Sequence, residues 1–400
     1  MEKMKKVYII GTYDTKSVEL DFVKTCLEQT GVNALTIDVS TQKPSDNTIK
    51  ADVSSETVFP EVYSTVYSSR GDAISKMGKA LKKYILKQND VAAVLAIGGS
   101  GGTSLVSYLM KSLPVGLPKI IVSTMASGDI RPYIGASDVY MVYSITDIKG
   151  INAISTTILS NAAHAISGMI INSTPAYTSE LDIVGISMFG VTTPCANQVV
   201  AQLESNFDCL VFHATGVGGQ SMEKLIDSGY IKGVIDLTTT EIADHLMGGV
   251  LSAGEDRLGA IIRSQIPYVG SVGALDMVNF GALDSVPQKF KDRNLYVHNE
   301  QVTLMRTNVE ENIVMGKWLA TKLNQMEGEV RFILPMRGVS AIDVEGQSFY
   351  NPKANTALFE TLEQELFQTT KRKLIKLPFA INDKEFSEAL VKNFYEIRNF

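Results

Sequence analysis

The sequence contains little cysteine and no long run of one charge. Three cysteines in 400 residues, Cys26, Cys195 and Cys209, stand far apart, which excludes a disulfide framework and a cysteine-based zinc site. The longest basic stretch is residues 371–373 in a chain of net charge −6, so the electrostatic footprint of a dedicated nucleic-acid-binding protein is missing. We therefore expect no nucleic-acid partner.

A long hydrophobic segment near the N-terminus is missing as well, and so are low-complexity segments. The apolar run at residues 7–10 is too short for a signal peptide or a membrane span. Hydrophobic residues make up 45% and charged residues 20% of the chain, as in globular proteins with a sizeable core. We expect a cytoplasmic protein with no membrane partner. At roughly 150 residues per domain, the length suggests two or three domains.

Apolar, β-branched segments alternate with helical periodicity in the first part of the chain. Strands are expected at residues 6–10, 34–39, 91–97, 119–123 and 139–144. This alternation predicts βαβ units and a parallel sheet. Because ligands of open α/β sheets bind outside the carboxyl ends of the strands, the loops after these strands are expected to form one site.

A second α/β series follows a polar stretch at residues 172–180. We place the boundary near Thr178, which gives domains of residues 1–178 and 179–400. Further strands are expected at residues 183–188, 209–213, 233–237, 268–272, 330–335 and 374–377. The predicted fold class is α/β, with two Rossmann-like subdomains, mainly parallel sheets and a cleft between them. Residues 99–104 align with residues 216–221, which would fit an internal duplication.

The glycine-rich segment Gly98-Gly-Ser-Gly-Gly-Thr103 indicates an anion site. A strand, a glycine turn and a helix N-terminus bring backbone amides and the positive end of the helix dipole to one point, where phosphate usually binds. The glycines would permit close approach of the backbone, and the hydroxyls of Ser100, Thr103 and Ser104 could donate to phosphate oxygens. A plain tight turn is the simpler alternative.

The cation of a P-loop is missing from this segment. Lys16, which follows the first strand, is the nearest candidate to supply that charge if the first and third strands are neighbours. Asp14 beside it would orient a ribose or hold a hydrated Mg²⁺.

The same segment also has the form G-x-S-x-G, in which Ser100 would be the nucleophile of a serine hydrolase. This alternative needs a histidine within reach of Ser100. His164 lies in an apolar helical pattern, while His213 and His245 belong to the second domain. The other glycine and hydroxyl loops stay unexplained by a hydrolase.

The second domain has a glycine loop of its own, expected to hold a second ligand such as a carboxylate or phosphate metabolite; its residues are His213, Thr215, Gly216, Gly218 and Gly219. His245 with Asp236, Glu241 and Asp244 allows a metal cluster, but capping and solvation explain these residues more simply, so we assign no metal. The turn Arg337-Gly-Val-Ser340 either contacts a substrate anion or is a plain turn.

Together these motifs resemble one protein family. The resemblance rests on Gly11-Thr-Tyr-Asp-Thr-Lys16, Asp38-Val-Ser-Thr41, Gly98-Gly-Ser-Gly-Gly-Thr103, Pro118-Lys-Ile-Ile-Val-Ser-Thr124, Ala126-Ser-Gly128, Tyr133-Ile-Gly-Ala-Ser-Asp138, Asp147-Ile-Lys-Gly-Ile-Asn152, Leu159-Ser-Asn161, Gly190-Val-Thr-Thr-Pro194, His213-Ala-Thr-Gly-Val-Gly-Gly219, Asp236-Leu-Thr-Thr-Thr-Glu241 and Ile381-Asn-Asp383. The chain resembles, over essentially its whole length, the uncharacterised family that includes the N-terminal ATP-binding region of the tomato mosaic virus resistance protein.

The resemblance implies two α/β subdomains, a homodimer, and an ATP site in the first subdomain. The implied ATP-binding residues are Asp14, Thr15, Lys16, Thr41, Arg70, Gly71, Gly98, Gly99, Ser100, Gly101, Gly102, Thr103, Ser123, Thr124, Ala126, Ser127 and Gly128. In the plant protein a separate TIM-barrel-like domain follows this region. Its binding of a viral replication protein is not transferred to this chain, because it depends on surface residues outside these motifs.

We expect a cytoplasmic ATP-binding protein that uses ATP, with Mg²⁺ as the candidate metal ion, on an unidentified small molecule at the cleft between the domains. The reaction would be phosphoryl or nucleotidyl transfer, or hydrolysis; no catalytic residue is assigned. The alternative is a non-catalytic, ATP-responsive subunit of a separate TIM-barrel partner.

Overall fold

The computed structural model describes residues 5–43, 49–173 and 180–398. The chain forms two compact units, Met1–Ala176 and Tyr177–Phe400. The boundary predicted near Thr178 lies outside the described residues and stays a prediction. The two parallel sheets described below are covered by helices on both faces, which confirms the predicted α/β class of two Rossmann-like subdomains with mainly parallel sheets.

The first unit is built on a parallel sheet of five strands in the order β2-β1-β3-β4-β5. The strands are β1 (Lys6–Gly11), β2 (Ala34–Asp38), β3 (Val91–Gly98), β4 (Lys119–Ser123) and β5 (Tyr140–Tyr143). Its helices are α1 (Tyr13–Gln29), α2 (Ser55–Val58), α3 (Arg70–Ile85), α4 (Ser100–Met110), α5 (Arg131–Ile134) and α6 (Ala153–Ile171). All five strands expected from the sequence are present in this sheet.

Successive residues of β1 point to opposite faces of the sheet, so each face has its own core. Val7 and Ile9 pack on α1 and α6, whereas Tyr8 and Ile10 pack on α3 and α4. Both faces are covered, which explains why the strands read as continuous apolar runs rather than alternating ones.

Capping side chains mark the starts of several of these helices. Ser69 caps α3 by accepting a hydrogen bond from the amide of Asp72, and Asn152 and Ser155 form a capping box at the start of α6. By length and composition α6 is apolar enough to cross a membrane. Its inner face packs on α1 and the sheet, so Leu159, Ala162, Ala163 and Ile166 belong to the core of the unit.

The strand order of the first unit places a topological switch point between β1 and β3. The chain leaves β1 toward β2 on one side and returns to β3 on the other, so the loops after β1 and β3 diverge and open a crevice at the carboxyl ends. The loops at Thr12–Lys16 and Gly98–Gly102 are therefore brought together by the sheet itself.

The second unit contains a parallel six-stranded sheet and a small antiparallel one. The large sheet has the order β14-β13-β9-β8-β6-β7, and the small one β10-β12-β11. The strands are β6 (Ile183–Met188), β7 (Asp208–His213), β8 (Ile231–Thr238), β9 (Tyr268–Gly273), β10 (Met277–Phe280), β11 (Leu295–Asn299), β12 (Val302–Arg306), β13 (Val330–Pro335) and β14 (Arg372–Leu377). The sequence predicted the six parallel strands and missed the antiparallel sheet.

Helices cover both faces of the large sheet. They are α7 (Thr193–Leu203), α8 (Val217–Asp227), α9 (Thr240–Met247), α10 (Gly259–Ser264), α11 (Val309–Asn324), α12 (Pro352–Glu365) and α13 (Lys384–Ile397). The helices α7 and α13 pack on one face, against Ile235 and Ile333. On the other face α8, α10, α11 and α12 pack against Val234 and Phe332.

Topology gives the second glycine loop a different place from the first. In the second unit β7 lies at the sheet edge next to β6, as β2 lies at the edge next to β1 in the first unit. The strand β8 lies on the other side of β6, as β3 lies on the other side of β1. The loop at residues 216–219 follows β7, whereas the loop at residues 98–102 follows β3. The two glycine loops that align in sequence are therefore not equivalent in the fold.

Candidate functional site

A cavity of about 790 Å³ lies at the carboxyl ends of β1 and β3 in the first unit, at the switch point. Of the residues expected to bind ATP, it is lined by Asp14, Thr15, Lys16, Thr41, Arg70, Gly98, Gly99, Ser100, Gly101, Gly102 and Thr124. Five separate stretches of sequence thus meet at one point, as the loop positions predicted.

The N-terminus of α4 forms the wall that follows β3. Gly99 caps the helix, and the first intrahelical bond runs from the amide of Thr103 to the carbonyl of Gly99. The amides of Ser100, Gly101 and Gly102 consequently lack an intrahelical acceptor. A Cβ at Gly98 would lie 2.9 Å from backbone atoms of Gly102, so this turn requires glycine there. These amides and the helix dipole favour an anion.

Arg70 supplies a positive charge next to this helix N-terminus. A methyl group on Gly101 would lie 3.2 Å from Nη2 of Arg70, which places the guanidinium beside the first turn of α4. Within the part of the chain that the structure describes, the side chain of Arg70 has no hydrogen-bond or ion-pair partner. Arg70 therefore provides the free cation that the glycine segment lacks.

Lys16 also lines the cavity, but its ammonium group is already bonded to the protein. Its Nζ donates to the carbonyl oxygen of Ile148 at 2.5 Å, and its backbone departs from helical geometry (φ −137°, ψ 24°) within α1. The contact ties the loop after β1 to the segment after β5. A phosphate at Lys16 would have to share or replace this hydrogen bond.

Two carboxylates line the same cavity, Asp14 and Asp147. Oδ1 of Asp14 is buried and has no hydrogen-bond partner, and burial raises the pKa of this carboxyl against the lowering effect of the Ser40 hydroxyl. A buried oxygen without a donor is suited to a hydrated Mg²⁺ or to a ribose hydroxyl. Asp38, at the end of β2, is instead occupied by the amides of Tyr13 and Ser40.

Several residues expected at the ATP site lie outside the cavity lining; they are Gly71, Thr103, Ser123, Ala126, Ser127 and Gly128. The hydroxyls of Thr103 and Ser123 are fully buried and hydrogen-bonded to each other at 2.6 Å. Ser123 also caps the short 3₁₀ turn that begins at Thr124. Thr103 and Ser123 thus hold the first turn of α4 against the end of β4.

The cavity contains residues that the sequence analysis did not assign to it, among them Thr12, Gln42, Tyr67, Ser69 and Asp147. Ser69 had a local signal, because a serine three residues before an aspartate is typical of a helix start. Thr12 and Asp147 lie in two of the motifs on which the family resemblance rests, whereas Gln42 and Tyr67 had no such signal. No histidine lines this cavity within the described residues, so its geometry favours a phosphate site over a nucleophilic Ser100.

The glycine loop of the second unit is occupied by a side chain of the protein itself. The amides of Gly216 and Gly219 both donate to Oε1 of Glu241, at 2.7 and 3.0 Å. A Cβ at Gly218 would lie 1.8 Å from the carbonyl oxygen of His213, so this glycine is a packing requirement. The amides predicted to hold a second ligand already bind a carboxylate.

Glu241 belongs to a buried charged cluster centred on Arg257. The guanidinium donates to Glu241 at 2.9 Å, to Asp236 at 2.8 Å and to Glu223 at 3.2 Å. Burial alone would lower the pKa of Arg257, and the three carboxylates hold it well above its usual value. Burial raises the pKa of Glu223 and Glu241.

The residues considered for a metal cluster have separate partners. Asp236 and Glu241 bind Arg257, Asp244 accepts hydrogen bonds from Asn279, and His245 contacts Glu255. His213 is exposed, and its ring stacks on Phe189 with centroids 5.3 Å apart. Within the described residues no group of three or more histidine, cysteine or acidic side chains is arranged for a metal ion.

Comparison with known sequences gives matches over nearly the whole chain. The N-terminal and C-terminal domain models of an uncharacterised protein family (UPF0261) match residues 5–175 and 182–398. A UPF0261 protein of Rhizobium meliloti (strain 1021) is 49% identical over 99% of this chain and 100% of the relative. A UPF0261 protein of Clostridium tetani (strain Massachusetts / E88) is 46% identical over 97% of this chain and 98% of the relative.

The chain is also similar to a plant protein. The ToMV resistance protein Tm-1(GCR237) of Solanum lycopersicum is 43% identical over 98% of this chain, which spans 56% of the tomato protein. Among solved structures, a UDP-GlcNAc 2-epimerase of Methanocaldococcus jannaschii aligns over 99% of this chain and 93% of its own, with 12% identity and a TM-score of 0.24. That likeness is too low to support an argument.

Proposed function

The chain belongs to the uncharacterised protein family UPF0261, and on this premise we propose that it binds ATP in the cavity between β1 and β3 of the first unit. One observation supports the proposal most directly. The unpartnered guanidinium of Arg70 lies beside the free amides at the start of α4, inside a cavity whose size is typical of small-molecule sites. This is a cradle for phosphate.

The rest of the cavity suits the other parts of a nucleotide. Val39, Ile74 and Leu105 give it an apolar wall for a base, while Thr41 and Gln42 offer polar groups near the end of β2. If Mg²⁺ accompanies ATP, Asp14 and Asp147 are the carboxylates that would hold it, together with phosphate oxygens. The ion would supply charge neutralisation at the phosphates.

We further propose that ATP is used on a small molecule, so that the protein is an enzyme of phosphoryl or nucleotidyl transfer or of hydrolysis. Arg70, Lys16 and the α4 amides would stabilise the charge that develops on the phosphates. The alternative is an ATP-responsive subunit of a separate protein. ATP turnover by the isolated chain, measured as released phosphate, supports the enzyme; binding without turnover supports the subunit.

Titration calorimetry tests the binding proposal. ATP and ADP are expected to bind, and adenosine to bind far more weakly. Arg70→Met should reduce ATP affinity by roughly tenfold or more, the effect of losing one charge-assisted hydrogen bond. Lys392→Met is a matched control, since Lys392 is an exposed cation on α13. Equal losses for ATP and adenosine in Arg70→Met would contradict the phosphate cradle.

We also propose a cytoplasmic homodimer. All three cysteines are free, as in proteins of reducing compartments. The apolar helix α6 leaves Ile154 46% exposed near its start and Ile171 59% exposed at its end, and a second copy of the chain would cover such apolar side chains. Light scattering coupled to size-exclusion chromatography is expected to give twice the mass of one chain; a monomer at micromolar concentration would contradict the dimer.

A further inference from the structure

A second cavity, of about 760 Å³, lies within the second unit at the carboxyl ends of β13 and β14. The switch point of this unit, between β6 and β8, is closed by the chain itself. Thr192 and Thr238 are fully buried and hydrogen-bonded to each other at 2.7 Å, and the carbonyl of Val191 accepts from Ala341 and Asn382. The open space in the second unit is therefore displaced along the sheet edge, away from its switch point.

One wall of this cavity is a single face of α12. Pro352, Asn355, Thr356 and Phe359 line it, and their spacing of three to four residues puts them on one side of the helix. Pro352, Asn355 and Thr356 belong to the N-terminal half of this 14-residue helix, and Phe359 is its eighth residue. The positive end of the helix dipole therefore lies at the cavity wall.

A buried polar network holds the opposite wall in place. Asn355, only 6% exposed, accepts from Arg306 Nη2 at 2.8 Å and donates to Asp343 at 2.6 Å. Asp343 also accepts from the amide of Val339, and Arg306 donates to the carbonyl of Phe349. The loop at residues 338–350 is thus fixed at both ends, so the cavity is formed before any ligand binds.

This loop and the end of β13 place opposite charges in the same cavity without pairing them. Arg337, just after β13, and Glu345, on the loop, both line the cavity. Over the described ranges neither side chain has an ion-pair or hydrogen-bond partner. Asp383 contributes a second carboxylate, one oxygen of which accepts from the amide of Ala380. The cavity offers a free cation and a free anion to a ligand.

We propose that this cavity binds a small zwitterion, a free α-amino acid with an apolar side chain. The ligand carboxylate pairs with Arg337 beside the N-terminal half of α12, and its ammonium group pairs with Glu345 and Asp383. Met336 and Tyr350, which are 42% and 45% exposed, receive the apolar side chain together with Phe359. A dianion would be repelled by the two carboxylates, and a dication by Arg337.

L-leucine and two analogues, each of which lacks one of its two charges, test the proposal. N-acetyl-L-leucine lacks the ammonium group, and L-leucinamide lacks the carboxylate. In calorimetry on the full chain, leucine is expected to bind at least tenfold more tightly than either analogue. Arg337→Met should weaken leucine and N-acetyl-leucine but leave leucinamide unchanged. Glu345→Gln should weaken leucine and leucinamide but leave N-acetyl-leucine unchanged.

Both side chains are exposed, so neither variant should disturb folding, which thermal unfolding verifies. Lys353→Met, an exposed cation of α12 outside the cavity lining, is the control and should leave leucine affinity unchanged. No binding of leucine at millimolar concentration, equal affinity for the three probes, or equal effects of both substitutions on all probes would overturn the proposal. The result is independent of ATP binding in the first unit.

Discussion

A methyl group at Gly101 is expected to have opposite effects on folding and on ATP binding. Gly101 is the second residue of α4 and its backbone is not in the left-handed region, so alanine fits the helix. Replacing a helical glycine by alanine stabilises a protein by up to about 1 kcal/mol. The same methyl group would lie 3.2 Å from Arg70 Nη2 and 3.4 Å from Ile74 Cδ1, so these side chains must give way.

The cost to ATP binding follows from that displacement. A charge-assisted hydrogen bond contributes about 1.5 to 3 kcal/mol, so moving Arg70 away from the phosphate should reduce ATP affinity roughly 10- to 100-fold. Adenosine, which has no phosphate, should lose far less. For a unit of this size, about 1 kcal/mol of extra stability raises the melting temperature by about 2 to 4 °C.

Calorimetry with ATP and adenosine measures the binding, and circular dichroism follows thermal unfolding. Trp318, the only tryptophan, lies on α11 of the second unit, so its fluorescence should be unchanged by Gly101→Ala. Gly168→Ala in α6 is the matched control, because a Cβ there meets its nearest neighbour at 3.9 Å. ATP affinity within about twofold of wild type in a folded Gly101→Ala would refute the phosphate position at α4.

Three further predictions concern both units. Lys16→Met should lower ATP affinity by only about 0.5 to 1.5 kcal/mol, less than Arg70→Met, because Lys16 must give up its hydrogen bond to the carbonyl of Ile148 in order to bind a phosphate. Calorimetry that gives the larger loss for Lys16→Met would contradict this expectation. Burial and the neighbouring Asp343 raise the pKa of Asp276 to about 7, so the folded state keeps a proton that the unfolded chain releases. This contribution to the free energy of unfolding is present below about pH 4 and is lost as the pH rises through 7. Asp276→Asn removes the titrating group, so the decrease of the free energy of unfolding with pH in this range should become smaller by up to about 1.4 kcal/mol per pH unit. Urea unfolding followed by Trp318 fluorescence measures this pH dependence. An unchanged slope would show that Asp276 does not hold this proton. Glu241→Ala should cost about 3 to 5 kcal/mol in the same assay, since it leaves a buried guanidinium nitrogen and two amides unpaired; a cost below about 1 kcal/mol would indicate that the cluster rearranges freely.

Local signals made the elements of the fold predictable. Most of the parallel strands are apolar, β-branched runs that end near a glycine or hydroxyl residue, and both properties can be read within a few residues. The edge strand β14, with the sequence RKLIKL, is an exception. The glycine turn at the cavity of the first unit was predictable for the same reason, because Gly98 to Gly102 span the end of β3 and the first turn of α4. The antiparallel strands β10, β11 and β12 were missed, since their short segments are defined by pairing with one another.

Strand order and side-chain partners were decided only by the tertiary structure. The sequence by itself determined that glycine turns precede helices at residues 98–102 and 216–219, and it predicted an anion site at both turns. Packing placed the first beside β1, where Arg70 and three free amides face an open cavity, and the second at a sheet edge, where Glu241 already fills it. The physical reason is that an amide binds whichever acceptor the fold brings to it, and these partners are distant in sequence.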